Sequence, residues 1–133
     1  MEIPKPTEAE LEILQVLWAY GPSPVRFVND KLNEQREIGY TTTLKLMQIM
    51  VDKGLAIRNT DQRSHIYEAA TSEESTKTRL LDQFVDAAFN GSAMKMVMQA
   101  LGQHQASQKE LDEIKALIER IEREVPPNTN SAE

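Results

Sequence analysis

Residues 40–54 read YTTTLKLMQIMVDKG and run directly into LAIRNTDQRSHIYEA at 55–69. Two different periods meet at that junction. The helical part starts near Tyr40 or Thr41 and ends near Lys53. Within it Thr43, Leu46, Met47 and Met50 share one side, suited to packing. Thr41, Lys45, Gln48 and Asp52 share a polar stripe, with Thr42 beside it and Leu44 at its flank. Gly54 is the residue type that closes a helix in the left-handed conformation. Residues 55–59 and 64–68 then have strand character, although Ala56 and Arg58 are weak strand formers. Thr60, Asp61, Gln62 and Arg63 between them read as a hairpin tip.

Upstream, two more helices precede this one. Thr7 followed by Glu10 is a capping box, and Leu11, Leu14, Leu17 and Trp18 follow at helical spacing until Gly21-Pro22. Ser23 is a cap candidate for the second helix, with Pro24 at its favoured first position. Val25, Val28 and Leu32 form its inner face, and residues 34–39 read as a loop. Three helices around a small core with a two-stranded wing make a winged helix-turn-helix. In that layout the third helix enters the major groove of double-stranded DNA and the wing touches the backbone nearby.

That layout assigns roles. The hydroxyls of Thr41 and Thr42 and the amide of Gln48 suit base edges or phosphates, and Lys45 suits a phosphate or a guanine edge. Leu44 suits a thymine methyl. Arg63 at the tip is the first wing candidate for a phosphate contact, Arg58 the second, and Arg26 and Lys31 on the second helix are further backbone candidates. For all of these the competing reading is an ordinary solvated helix face and ordinary surface charge.

The composition bounds the chemistry. The chain has 133 residues, 40% of them hydrophobic, and no cysteine, which excludes disulfides and thiolate metal sites. Two histidines, His65 and His104, without cysteines argue against a metal centre, and no cofactor is expected. There is no glycine-rich phosphate loop, metal cluster or nucleophile constellation, so an enzyme is not expected. No signal peptide and no membrane-length apolar run are found, so the expectation is a soluble cytoplasmic protein without membrane insertion. The formal net charge is −6. That balance argues against nonspecific nucleic-acid binding by the whole molecule. Within 38–67 the sign reverses, with Lys45, Lys53, Arg58 and Arg63 against Asp52 and Asp61.

After Ala70 the composition shifts. Residues 71–76 are polar and contain a cap candidate in Ser72. Leu81, Phe84, Val85, Ala88 and Phe89 make a helical face that stops at Asn90-Gly91. Ser92 opens another helix with Met94, Val97, Met98 and Leu101, ending at Gly102. Ser107 and Glu110 form a second capping box, followed by Leu111, Ile114, Leu117, Ile118 and Ile121 until Pro126-Pro127. The expected organisation is therefore mainly α: a winged-helix DNA-binding domain at 1–71, a three-helix dimerisation domain at 72–125 and a disordered tail at 126–133. The apolar supply of the second half packs either on the first half or on the same region of a second copy. A homodimer is favoured, because one recognition helix reads few bases, whereas two about 34 Å apart read a palindrome. Leu81, Phe84, Val85, Phe89, Met94, Val97, Met98, Leu101, Ile114, Leu117, Ile118 and Ile121 are the expected dimerisation residues. The alternative is a winged-helix adapter that binds proteins and lacks sequence-specific DNA binding.

The order and spacing of these features resemble the penicillinase-repressor family, the BlaI/MecI/CopY group of bacterial transcriptional repressors. The resemblance rests on PTEAELEIL at 6–14 with Trp18, YTT at 40–42, KGL at 53–55 and Tyr67. It continues in FNGS at 89–92, MKMVM at 94–98 and the acidic last helix. It implies an N-terminal winged helix, a C-terminal helical dimerisation domain, and repression from a palindromic operator with a TACA/TGTA-like core. Relatives of this kind commonly control β-lactamase, penicillin-binding-protein or copper-transport genes. In the β-lactam branch a membrane sensor and protease pathway ends in cleavage of an Asn-Phe bond. Gln99-Ala100 stands at that place here, and the cysteine-rich C-terminus of the copper branch is missing. Ile49 occupies a position where many members carry a basic residue.

Overall fold

A computed structural model describes residues 4–61, 63–103 and 105–125. Gln62, His104, Pro126-Pro127 and the expected tail at 126–133 lie outside the described residues. The chain divides into two compact units, Met1–Phe84 and Val85–Glu133, with the division falling inside a helix.

The first unit begins with α1 (Glu8–Tyr20). Its capping box forms as expected: Glu10 N–H donates to Thr7 Oγ1 at 3.2 Å and Thr7 N–H to Glu10 Oε1 at 2.9 Å. Gly21 ends it at φ 83°. Ser23 and Pro24 depart from the expectation. Ser23 does not cap a helix. Ser23 and Pro24 form a short strand, β1, and the Ser23 hydroxyl donates to Gly21 O at 2.8 Å. Pro24 is itself the N-cap of α2 (Val25–Leu32), without a side-chain capping bond. A proline with no N–H to give is tolerated on the edge strand that β1 supplies.

The recognition-helix candidate is α3 (Tyr40–Lys53), and Gly54 closes it at φ 85°, in the left-handed region where a Cβ would be strained. Leu55 N–H returns to Met50 O at 2.8 Å, which turns the chain sharply into β2 (Ala56–Asn59). β3 (Ile66–Ala69) runs back antiparallel, with Arg58 opposite Tyr67 and Asn59 opposite Ile66. The strands are shorter than the stretches 55–59 and 64–68, and the tip is correspondingly longer. The sheet has three strands instead of two, in the order β1-β3-β2, because Ser23 pairs with Tyr67 and Pro24 with Ile66.

One core serves all of these elements. Ile13, Leu14 and Leu17 of α1 meet Val25, Val28 and Leu32 of α2 and Met47 and Met50 of α3. Ile38, Leu55, Ala56 and Tyr67 complete it. Leu11 and Trp18, expected on the inner face, sit at its margin. Trp18 is held there by its indole N–H, which donates to Thr71 O at 2.9 Å. Ser72 then caps α4 (Glu73–Phe89) by accepting from Ser75 N–H at 3.1 Å.

In the second unit α4 stops at Asn90 and Gly91, both at positive φ, and α5 (Ala93–Gln103) follows. The Ser92 hydroxyl accepts from Lys95 N–H at 3.2 Å. α6 (Gln108–Glu124) opens on the expected capping box of Ser107 and Glu110. Among the described residues neither α5 nor α6 contains a buried side chain. No described helix is long and apolar enough to cross a membrane.

Candidate nucleic-acid interface

α3 keeps its two faces apart. Thr43, Met47 and Met50 are buried, whereas Thr41, Thr42, Lys45, Gln48 and Asp52 are exposed and Leu44 is half-buried. Beside α3 the N-terminus of α2 and the wing wall off an open groove of about 510 Å³. Arg26 from α2, Leu44 and Gln48 from α3, and Arg58 and Arg63 from the wing all line it. Five of the eight candidate DNA residues, drawn from three elements, therefore converge on one concavity. The other three, Thr41, Thr42 and Lys45, lie on the exposed face of α3 outside the lining.

The groove also contains residues that sequence reasoning did not assign to a site. Tyr40, Ser64 and His65 line it with Tyr67, and the Arg26 guanidinium lies 5.7 Å from the centroid of the Tyr40 ring. That distance is within cation–π range and holds the arginine at the groove wall. In the sequence Tyr40 marks a helix start and part of the YTT motif, and His65 is only a histidine without metal-ligand partners. Only tertiary folding brings them to the same groove as the arginines.

Charge pairing also distinguishes this face within the winged helix. Among the described residues from α1 to β3, Arg26, Lys45, Arg58 and Arg63 take part in no ion pair, whereas Lys31, Arg36 and Lys53 do. Lys53, which the sequence places in the basic patch, is spent internally: its ammonium lies 2.8 Å from Glu10 Oε2. Burial alone would raise the Glu10 carboxyl. Hydrogen bonds from Lys53 and Thr7, with the Lys53 charge, outweigh burial and hold it below its ordinary value. Lys31 is also withdrawn from the candidate face. It sits 3.3 Å from Glu34 and over the Tyr20 ring, lining a separate depression with Glu12, Gln15 and Val16. Tyr20 and then Glu34 favour its charged form and raise its pKa. From α1 to β3 the cations without an ion pair therefore lie on α3, on the first turn of α2 and on the wing.

The apolar set of the second half has its own geometry. Leu81, Phe84, Met94, Val97, Met98, Leu101, Leu117, Ile118 and Ile121 are exposed, with Met94 at 71% and Met98 at 67%. Phe89 and Ile114 are half-buried. Val85 differs, since it is already buried within the single chain.

Comparison with known proteins follows the same outline. The penicillinase repressor of Bacillus licheniformis is 23% identical over 118 residues, which cover 89% of this chain and 92% of that protein. The methicillin resistance regulatory protein MecI of Staphylococcus aureus is 18% identical over 114 residues, 86% of this chain and 93% of that one. The crystal structure of transcriptional regulator Tm0710 from Thermotoga maritima shares the fold at a TM-score of 0.51 and 20% identity. That match covers 90% of this chain and 79% of the other. Residues 6–120 match the family described as penicillinase repressor, and over that span the chain belongs to this family.

Proposed function

We propose that this protein is a DNA-binding transcriptional repressor that acts as a homodimer on a palindromic operator with a TACA/TGTA-like core. α3 enters the major groove and presents Thr41, Thr42, Lys45, Gln48 and Leu44 to base edges. Arg26, Arg58 and Arg63 seat the adjoining phosphodiester backbone. The apolar faces within 72–125 pair with those of a second copy and set the spacing of two recognition helices. Membership of the penicillinase repressor family supports the repressor role. The observation that carries the DNA reading is the groove beside α3, where three guanidiniums, without carboxylate partners among the described residues, converge on a chain of net charge −6. Such concentrated charge steers and holds a polyanion although the molecule as a whole is acidic.

The test is a gel shift with palindromic and scrambled duplexes across a salt series. Binding of the palindrome is expected to be tighter and to weaken steeply as salt rises, because neutralised phosphates release counterions. Absence of binding, or binding indifferent to salt, overturns the reading and favours an adapter for protein partners.

A further inference from the structure

α3 has no side-chain hydrogen bond capping its N-terminus. Its N-cap is Gly39, which offers no side chain, so nothing local fixes the helix start. The fixing groups come from α2. Asn29 Nδ2 donates to Thr43 Oγ1 at 2.8 Å and to Ile38 O at 3.1 Å. Asn33 Nδ2 donates to the same Ile38 O at 2.9 Å and to Asn29 O at 2.7 Å, and its Oδ1 accepts from Ile38 N–H at 3.2 Å. Both backbone groups of Ile38 are thereby held by side chains of α2 and its C-cap Asn33, and its own side chain is buried. Thr43 is completely buried one residue from Thr42 and two from Thr41 and Lys45.

We infer that Asn29 and Thr43 are positioning residues for base reading: the Asn29–Thr43 hydrogen bond, braced by Asn33 on Ile38, sets where the first turn of α3 stands relative to α2. The inference rests on the proposed DNA reading. Neither residue lines the groove, so both act through α3. Directional bonds to base edges depend on placement more than contacts to phosphates do, because phosphates position the protein and carry no sequence information. Loosening the clamp therefore degrades discrimination between sequences and leaves the electrostatic share of binding intact.

The experiment begins with a duplex selected by the wild-type chain from a random library. Its affinity is compared with that of a scrambled duplex over a salt series, with thermal unfolding followed in parallel. Thr43→Val deletes the hydroxyl at nearly constant shape, Thr43→Ser restores it, and Asn29→Ala removes the donor from a half-buried site. Thr43→Val and Asn29→Ala are expected to lower the selected-to-scrambled ratio about three- to tenfold, as the loss of one net hydrogen bond allows. The salt slope should stay at the wild-type value, and Thr43→Ser should keep the wild-type ratio. An unchanged ratio in folded Asn29→Ala or Thr43→Val, even with a lower melting temperature, overturns the inference and leaves a stability role only. A reduced salt slope overturns it in favour of direct phosphate contact. If the wild-type chain enriches no duplex, the DNA reading itself falls, and this inference with it.

Discussion

Glu10 shows how one side chain can serve two elements. It completes the capping box of α1 and receives the Lys53 ammonium from the last turn of α3 at 2.8 and 3.1 Å, while only 2% exposed. Its folded pKa is depressed below the ordinary 4.5. The linkage follows from that direction. The stabilisation is fully present above about pH 4.5 and is lost as the pH falls through the lower folded value. Glu10→Gln keeps an acceptor for Thr7 but removes the charge opposite Lys53. Removing one partner of a fully buried pair costs about 3–5 kcal/mol, and the partly exposed Lys53 ammonium brings the expectation here to roughly 2 kcal/mol. The expected result is a lower melting temperature at pH 7 and a flatter profile as the pH falls below 4.5. A variant whose melting temperature tracks the wild type throughout that range would show that the pair contributes nothing.

At the scale of elements the division of labour between helix and wing can be separated by salt. Arg63→Ala should weaken binding to selected and scrambled duplexes alike and reduce the slope of log affinity against log salt by about one, the signature of one lost phosphate contact. Lys45→Ala tests the helix. If Lys45 reads a guanine edge, discrimination falls by about 1–3 kcal/mol at one base position with the same slope. If both variants bind like the wild type, the DNA face lies elsewhere. The elements that sequence alone located are those with local signals. Thr7 with Glu10, Ser107 with Glu110, and Gly54 each mark a helix end within a few residues. The misread elements depend on distant partners. Ser23 and Pro24 look like a helix start, and only Tyr67 and Ile66, more than forty residues later, make them a strand. Lys53 looks like free positive charge until folding brings Glu10 of α1 to it. The groove was half legible for the same reason: its arginines stand out by type, whereas Tyr40 and His65 join them only through tertiary placement.

At the scale of the molecule the two halves pose different solvation problems. The winged helix covers its apolar residues with its own three helices and sheet. α5 and α6 do not: both carry apolar stripes, and among the described residues neither has a buried side chain. A helix of that length is marginal in water when nothing packs on it. Each fully buried leucine, isoleucine or methionine contributes about 1.5–3 kcal/mol, so covering these stripes with a second copy can supply what the single chain lacks. Ile118, half exposed on α6, is a clean probe. Ile118→Glu places a charge on the proposed contact, where burial without a partner is strongly unfavourable. Sedimentation velocity should then show monomers at concentrations where the wild type is a dimer. Affinity for a full palindrome should fall towards that for a half-site, because the linkage that raises the effective concentration of the second recognition helix is gone. Half-site affinity itself should hold, since the first unit carries its own core. A variant that stays dimeric, or a wild type that sediments as a monomer, would mean that the stripes of α5 and α6 are covered by something other than a second copy of this chain.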